Sequence, residues 1–231
     1  MIRTAILIDG GFYRKRAKAI KGELSGEERA KELFQYCMGH IYPKNNDKKN
    51  DHSLNEQQSL YRIFYYDCMP LNKKCVFHPL NRQNIDLGKS ETYSWTESMF
   101  KELRKTRKVA LRLGELSSQS NYNLKPSTTK DLFLGKIKLE DITEKDFELN
   151  LKQKGVDMKI GIDIASLAYK KQVDRIILIA GDSDFVPAAK LARREGLDFI
   201  LDPMWSPIND RLFEHIDGLY SVWPDPSKKN K

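Results

Sequence analysis

The chain has 231 residues, and 40% of them are apolar, enough to bury a core in one generous domain. Charged residues are plentiful but mixed in sign. The 40 Lys and Arg outnumber the 32 Asp and Glu, leaving a formal charge of +8 that suits a polyanionic partner. No apolar run approaches the roughly 18 residues of a membrane span, and Met1–Gly10 has neither the length nor the cleavage site of a signal peptide. Three cysteines (Cys37, Cys68, Cys75) at loose spacing read as free thiols in a reducing compartment. The expectation is a soluble cytoplasmic protein.

The predicted elements alternate between strand and helix. Thr4–Asp9 is an apolar run that ends in an acid and two glycines, as a central parallel strand does. Gly10 and Gly11 are expected to turn the chain, and Phe12–Ile20 starts a basic helix. Ser25 is placed to cap a helix running to about Gly39, with Ala30, Leu33, Phe34 and Cys37 on one face. Residues 41–56 are polar and read as an insertion. Tyr61–Tyr66, rich in aromatic and β-prone residues, is a second strand ending at Asp67. Asn72–Asp86 reads as irregular, Thr92–Lys105 as a helix, and Val109–Leu113 as a third strand stopped by Gly114. Ser117–Thr129 reads as a loop, and Leu132–Lys154 as a hairpin and linker.

The C-terminal third is the most strongly patterned. A helix is expected from about Lys159 to Val173, with Ile160, Ile164, Leu167 and Ala168 inward. Arg175–Ala180 is a fourth strand, Pro187–Glu195 a helix stopped by Gly196, and Leu197–Leu201 a fifth strand. Asn209–Ile216 is a short helix, Leu219–Trp223 an edge strand, and residues 224–231 a basic tail. This alternation implies an α/β fold around a parallel sheet with right-handed crossovers, in which ligands bind beyond the carboxyl ends of the strands.

The acids collect at those ends. Asp9 closes the first strand, Asp67 the second, and Asp182 and Asp184 follow the fourth. Asp157 and Asp163 flank the start of the helix that feeds it. Any one could be a helix cap; Asp157 and Asp184 are well placed for that. Capping does not account for all of them together. Like charges within about 4–6 Å raise each other's pKa by one to three units, which a divalent cation relieves. Carboxylates are hard ligands that suit Mg²⁺ or Mn²⁺. Asp157 and Asp163 lie about 240° apart around a helix, so both reach one rim only if Asp157 sits at the helix mouth, outside the regular turns.

Other chemistries lack their residues. Cys68, Cys75 and His78 have poor zinc spacing. There is no P-loop, Gly-x-Gly-x-x-Gly or Ser-His-Asp set, and the Asp-x-Asp of an α/β phosphatase is missing because Asp9 precedes two glycines. A basic chain with an acidic, metal-ready cluster fits phosphodiester chemistry, in which the metal offsets phosphate charge and activates water while Lys and Arg hold the backbone. Arg14, Lys15 and Lys154 are the candidate phosphate contacts.

Ala5-Ile-Leu-Ile-Asp-Gly-Gly-Phe12, Ile63–Asp67, Arg112-Leu-Gly114, Lys154-Gly-Val-Asp-Met-Lys-Ile-Gly-Ile-Asp163 and Ala180-Gly-Asp-Ser-Asp-Phe185 occur in an order that resembles an NYN domain of the LabA-like group, within the PIN-like nuclease superfamily. The resemblance implies a PIN-like, Rossmann-like three-layer sandwich whose mainly parallel sheet of five or six strands is ordered 3-2-1-4-5. It spans residues 1–223 as one domain with insertions near 41–56 and 117–150. It further implies cleavage of RNA, single-stranded RNA included, by an acidic pocket holding Mg²⁺ or Mn²⁺. Carried over by motif, Asp9, Asp163, Asp182 and Asp184 are catalytic metal holders, and Asp157 joins the metal set. Many members carry a small polar residue and Asn after Asp-Gly; here Gly11, Phe12 and Tyr13 follow. The rival reading is an RNA-binding or regulatory module with weak or no catalysis. The sequence leaves open whether the chain forms a homo-oligomer.

Overall fold

Ile2–Asp9 forms the first strand (β1) of a computed structural model that describes residues 1–43, 57–74, 76–116, 121–150 and 153–230. The elements follow as α1 (Gly10–Lys21), α2 (Gly26–Ile41), β2 (Gln58–Cys68), β3 (Val76–Phe77), β4 (Asn84–Ile85), α3 (Glu91–Lys105), β5 (Val109–Leu116) and β6 (Asn121–Leu124). Then come α4 (Pro126–Phe133), β7 (Phe147–Asn150), β8 (Gln153–Lys154), α5 (Val156–Tyr169), β9 (Arg175–Ile179), α6 (Val186–Arg194), β10 (Asp198–Asp202), α7 (Asp210–Phe213) and β11 (Gly218–Leu219). Two compact units result: residues 1–67, 98–114 and 155–231 make the first, and 68–97 with 115–154 the second.

In the first unit the apolar runs do what their composition dictates. Ala5–Ile8 and Ile176–Ile179 are buried, and each Ile or Leu so placed contributes about 1.5–3 kcal/mol. The two strands pair in parallel, Ile6 opposite Ile177 and Ile8 opposite Ile179. On the other side of β1, β2 runs parallel with Asp9 opposite Tyr66. The six-stranded parallel sheet is ordered β11-β10-β9-β1-β2-β5 and is flanked by helices. Taking its principal strands in chain order, that is the expected 3-2-1-4-5 arrangement with a sixth strand at the edge. The chain reverses direction across the sheet between β1 and β9, and a crevice opens at such a switch point. Arg175, buried at the start of β9, is paired with Asp198 of β10.

The helices follow their local signals, with some corrections. Ser25 caps α2 through a reciprocal box with Glu28. On α2 the buried aromatic is Tyr36, not Phe34, because the Tyr36 hydroxyl donates to the fully buried Asp202 carboxylate. On α3, Met99, Phe100 and Leu103 are buried, as are Ile160, Ile164, Leu167 and Ala168 on α5. α5 begins at Val156, three residues earlier than expected; Gly155 adopts the left-handed conformation (φ 80°) that lets a helix start directly after the preceding segment. The edge strand is only Gly218–Leu219, and Pro226–Asn230 winds into a 3₁₀ turn at the end of the basic tail.

The second unit is richer in structure than its polar sequence suggests. Asn121–Leu124, expected as loop, pairs antiparallel with Phe147–Asn150, because Tyr122 and Phe147 both pack on the ring of the buried His78. Val76–Phe77 and Asn84–Ile85 form a two-residue ladder inside the stretch read as irregular. Strand β5 runs on through Gly114, and its last residues, Glu115 and Leu116, pair with β8. Much of the 41–56 segment, and Cys75, lie outside the described residues. Among the described residues no helix is long and apolar enough to cross a membrane.

Candidate active site

The site grows from the carboxyl ends of β1 and β9. Asp9 is the last residue of β1 and the N-cap of α1, and its Oδ1 accepts the Phe12 N–H at 3.1 Å. The helix starts at once, at Gly10, where the sequence suggested a turn. Gly10 is required there: a Cβ would lie 2.6 Å from the Tyr65 ring and 2.7 Å from Asp67 Oδ2. Across the rim, Gly181 follows β9, and the Phe12 ring lies against it. The two motifs, far apart in the chain, therefore abut.

Asp182 caps the short 3₁₀ turn Ser183–Phe185, with Oδ1 accepting the Asp184 N–H at 3.0 Å. Both Asp182 and Asp184 are exposed. Asp157 lies inside the first turn of α5, not outside the regular turns as the 240° argument required. From there its charge is felt by Asp9, and it feels Asp182 and Asp184 in turn. Burial is the main cause that raises the Asp9 pKa above its ordinary 3.8; the Phe12 N–H opposes this, and Asp157 and Asp67 add to it. Burial followed by repulsion from Asp182 and Asp184 raises Asp157 likewise. Among the described residues none of these four acids forms an ion pair, in a chain with an excess of Lys and Arg.

Asp163 is placed differently. Its Oδ2 accepts both the Tyr66 hydroxyl (2.8 Å) and Arg112 Nε (3.0 Å). The Arg112 guanidinium lies 5.3 Å from the centroid of the Phe64 ring. Burial, then the Asp163 charge, pushes the Tyr66 hydroxyl well above its usual range, so it remains a donor. Six residues along α5 from Asp157, Asp163 is drawn toward the β2–β5 side of the sheet. Among the described residues no three His, Cys, Asp or Glu side chains stand ready to coordinate one ion. The acids from β1, β9 and the start of α5 are coupled electrostatically, while Asp163 is held by Tyr66 and Arg112.

The proposed phosphate contacts divide as well. Arg14 donates to Asp67 Oδ1 at 3.0 Å and to the Gly10 carbonyl, neutralising a buried acid. Lys15 is exposed on α1, and Lys154 is exposed on β8 in the second unit. Sequence reasoning missed Arg112 as a site residue and did not assign a role to Asp67. Arg112 was visible as the polar residue in the Arg112-Leu-Gly114 strand end. Cys68 is buried, and His78 is packed between the Tyr122 and Phe147 rings.

The NYN domain family profile matches residues 83–208, more than half of the chain. The chain belongs to the NYN domain family. Membership brings a PIN-like, nuclease-type function, and with it a nucleic-acid substrate; such nucleases generally work with divalent metals. No curated protein matches the chain. A solved structure, that of a protein of unknown function, VPA0982, from Vibrio parahaemolyticus RIMD 2210633, is similar over 97% of this chain and 94% of that one, at 14% identity and a TM-score of 0.44.

The donor set fits a hard divalent cation. It consists of carboxylate oxygens, and two of the acids carry pKa values raised first by burial and then by like charges, Asp157 and Asp67 at Asp9 and Asp182 and Asp184 at Asp157, a repulsion that a cation relieves.

Proposed function

We propose that this NYN protein is a metal-dependent nuclease of the LabA-like group, an endoribonuclease that hydrolyses RNA phosphodiester bonds in the cytoplasm. The observation that supports the reading is the electrostatic coupling of Asp9 with Asp157 and of Asp157 with Asp182 and Asp184, acids of three separate segments that form no ion pair among the described residues. These four would hold Mg²⁺ or Mn²⁺. Asp163, whose Oδ2 accepts from Tyr66 and Arg112, would join that set. The bound ion would lower the pKa of a water and stabilise the leaving oxygen. The protein's own residues position the strand. Exposed Lys15 contacts phosphate, while Arg14 is held on Asp67 and offsets that acid's charge.

The second reading, an RNA-binding or regulatory module with weak or no catalysis, draws support from the Arg112–Asp163 pair, which neutralises one of the acids. The experiment that separates them uses protein purified free of host nucleases, Mn²⁺ and labelled single-stranded RNA. Cleavage by the wild type and its loss in Asp182→Asn support the nuclease. Equal cleavage by both proteins overturns the assignment, and binding without turnover under any divalent ion supports the module.

A further inference from the structure

The segment after β10 also lies at the carboxyl edge of the sheet. Met204 and Trp205 have φ of 47° and 62°, and the Ser206 N–H donates to the Pro203 carbonyl at 2.8 Å. Two central residues at positive φ closed by that bond are the type I′ pattern, which ordinarily takes Asn, Asp or Gly. A bulky side chain in this region is a strained placement that persists only when its surroundings fix it.

The surroundings do so here. Asp202 Oδ1 accepts the Met204 N–H at 2.8 Å. Arg16 donates to the Met204 carbonyl through Nε and Nη2 at 3.1 and 2.6 Å. The Trp205 Nε1–H donates to the Trp223 carbonyl at 2.7 Å.

The two strained residues differ in one respect. Met204 is fully buried, so packing accounts for its side chain. Trp205 remains 43% exposed, and burial does not account for an indole held there. Arg16 is held on the carbonyl of the residue before it, and Trp223, whose backbone carbonyl takes the indole N–H, carries Lys21 Nζ 5.2 Å from its ring centroid. Arg16 is seven residues past Asp9, about 10 Å along α1. At the other end of the segment, α7 packs against the Ser183–Phe185 turn that carries Asp184. An exposed aromatic fixed by its own hydrogen bond, in a segment bracketed by elements of the acidic rim, matches the stacking platforms that bind single strands.

We propose that Trp205 is a stacking platform for an unpaired nucleobase of the RNA strand that the acidic rim acts on. This rests on the nuclease reading for the identity of the strand but not on turnover. The test measures binding of a fluorescein-labelled single-stranded oligo(U) by anisotropy in EDTA, where no metal-dependent cleavage occurs.

Trp205→Ala is expected to weaken binding about tenfold, and Trp205→Phe to retain it within about twofold. Trp205→Gly removes the backbone strain. It is expected to melt above Trp205→Ala, which keeps that strain, while binding as weakly. That opposition of stability and binding is one a purely structural turn does not produce.

Wild-type protein that fails to bind the strand overturns the proposal. So does binding by Trp205→Gly within about twofold of wild type, in which case the indole is left to a protein partner. Failure to cleave RNA with Mn²⁺ overturns the nuclease reading alone, because binding in EDTA is read separately.

Discussion

The ring of Phe12 lies against Gly181 so closely that a Cβ on the glycine would fall 2.5 Å from Phe12 Cε2. This contact joins the end of β1 to the end of β9 and sets Asp9 and Asp182 on one rim. Gly181→Ala must therefore displace the ring. A loss of about 1–3 kcal/mol is expected from overpacking, with partial recovery in the double variant carrying Phe12→Ala. Urea denaturation of the two singles and the double measures the coupling, and a Gly181→Ala variant as stable as wild type would contradict the contact.

Asp182→Asn keeps an oxygen that can accept the Asp184 N–H, so the turn should survive. Cleavage of RNA with Mn²⁺ should fall at least about 100-fold, because a bound metal supplies several kcal/mol and each 1.4 kcal/mol is tenfold. The melting temperature without metal should be unchanged or higher, since one repelling charge is gone. The rise in melting temperature that Mn²⁺ gives the wild type should shrink in the variant.

Stability without metal should depend on pH in a defined direction. The carboxyls of Asp9 and Asp157 have folded pKa values raised above the ordinary 3.8. The folded chain therefore binds protons more tightly than the unfolded one, and the stability this contributes is fully present below 3.8. It is lost as pH rises through the raised folded values. Asp9→Asn should flatten that fall, and Mn²⁺ should offset it only above the window, where the carboxylates are ionised. Thermal melts across pH, with and without Mn²⁺, check the sign.

Arg112→Ala removes the cation from Asp163. With about half of the arginine exposed, the cost in stability should stay within about 1 kcal/mol. The freed carboxylate should bind Mn²⁺ more tightly, as seen by calorimetric titration of the protein without RNA. Unchanged Mn²⁺ affinity would remove Asp163 from the metal set.

Asp202 lies at the end of β10 with no exposure and accepts from the Tyr36 hydroxyl, the Ser221 hydroxyl and the Met204 N–H, while its Oδ2 also pairs with His40 Nε2. Asp202→Ala should cost about 3–5 kcal/mol, because several buried partners lose their acceptor together. It should also release the Met204–Trp205 turn, since Met204 loses its anchor. A urea midpoint close to wild type would show that the network contributes little.

The strands and their order of appearance were legible because a sheet buried on both faces demands continuous apolar runs, and Thr4–Asp9 and Arg175–Ala180 have them. The acids at the strand ends were legible for the same reason: the polar residue that closes such a run sits where the crevice must be. The α5 boundary was missed because Gly155, with its positive φ, starts the helix without a side-chain cap, and Asp157 then reads as the cap it is not. Strand β6 was missed because Asn121–Leu124 is polar, and its pairing depends on β7, more than twenty residues away.

The local pattern of the chain thus determined the α/β class, the parallel sheet and the collection of carboxylates at one edge, since each follows from the period and termination of short apolar segments. Only the tertiary structure decided which of those carboxylates keep their charge uncompensated. Arg14 reaches Asp67 across 53 residues and Arg112 reaches Asp163 across 51, and such pairings depend on sheet order and side-chain reach, to which neighbouring residues in sequence give no clue.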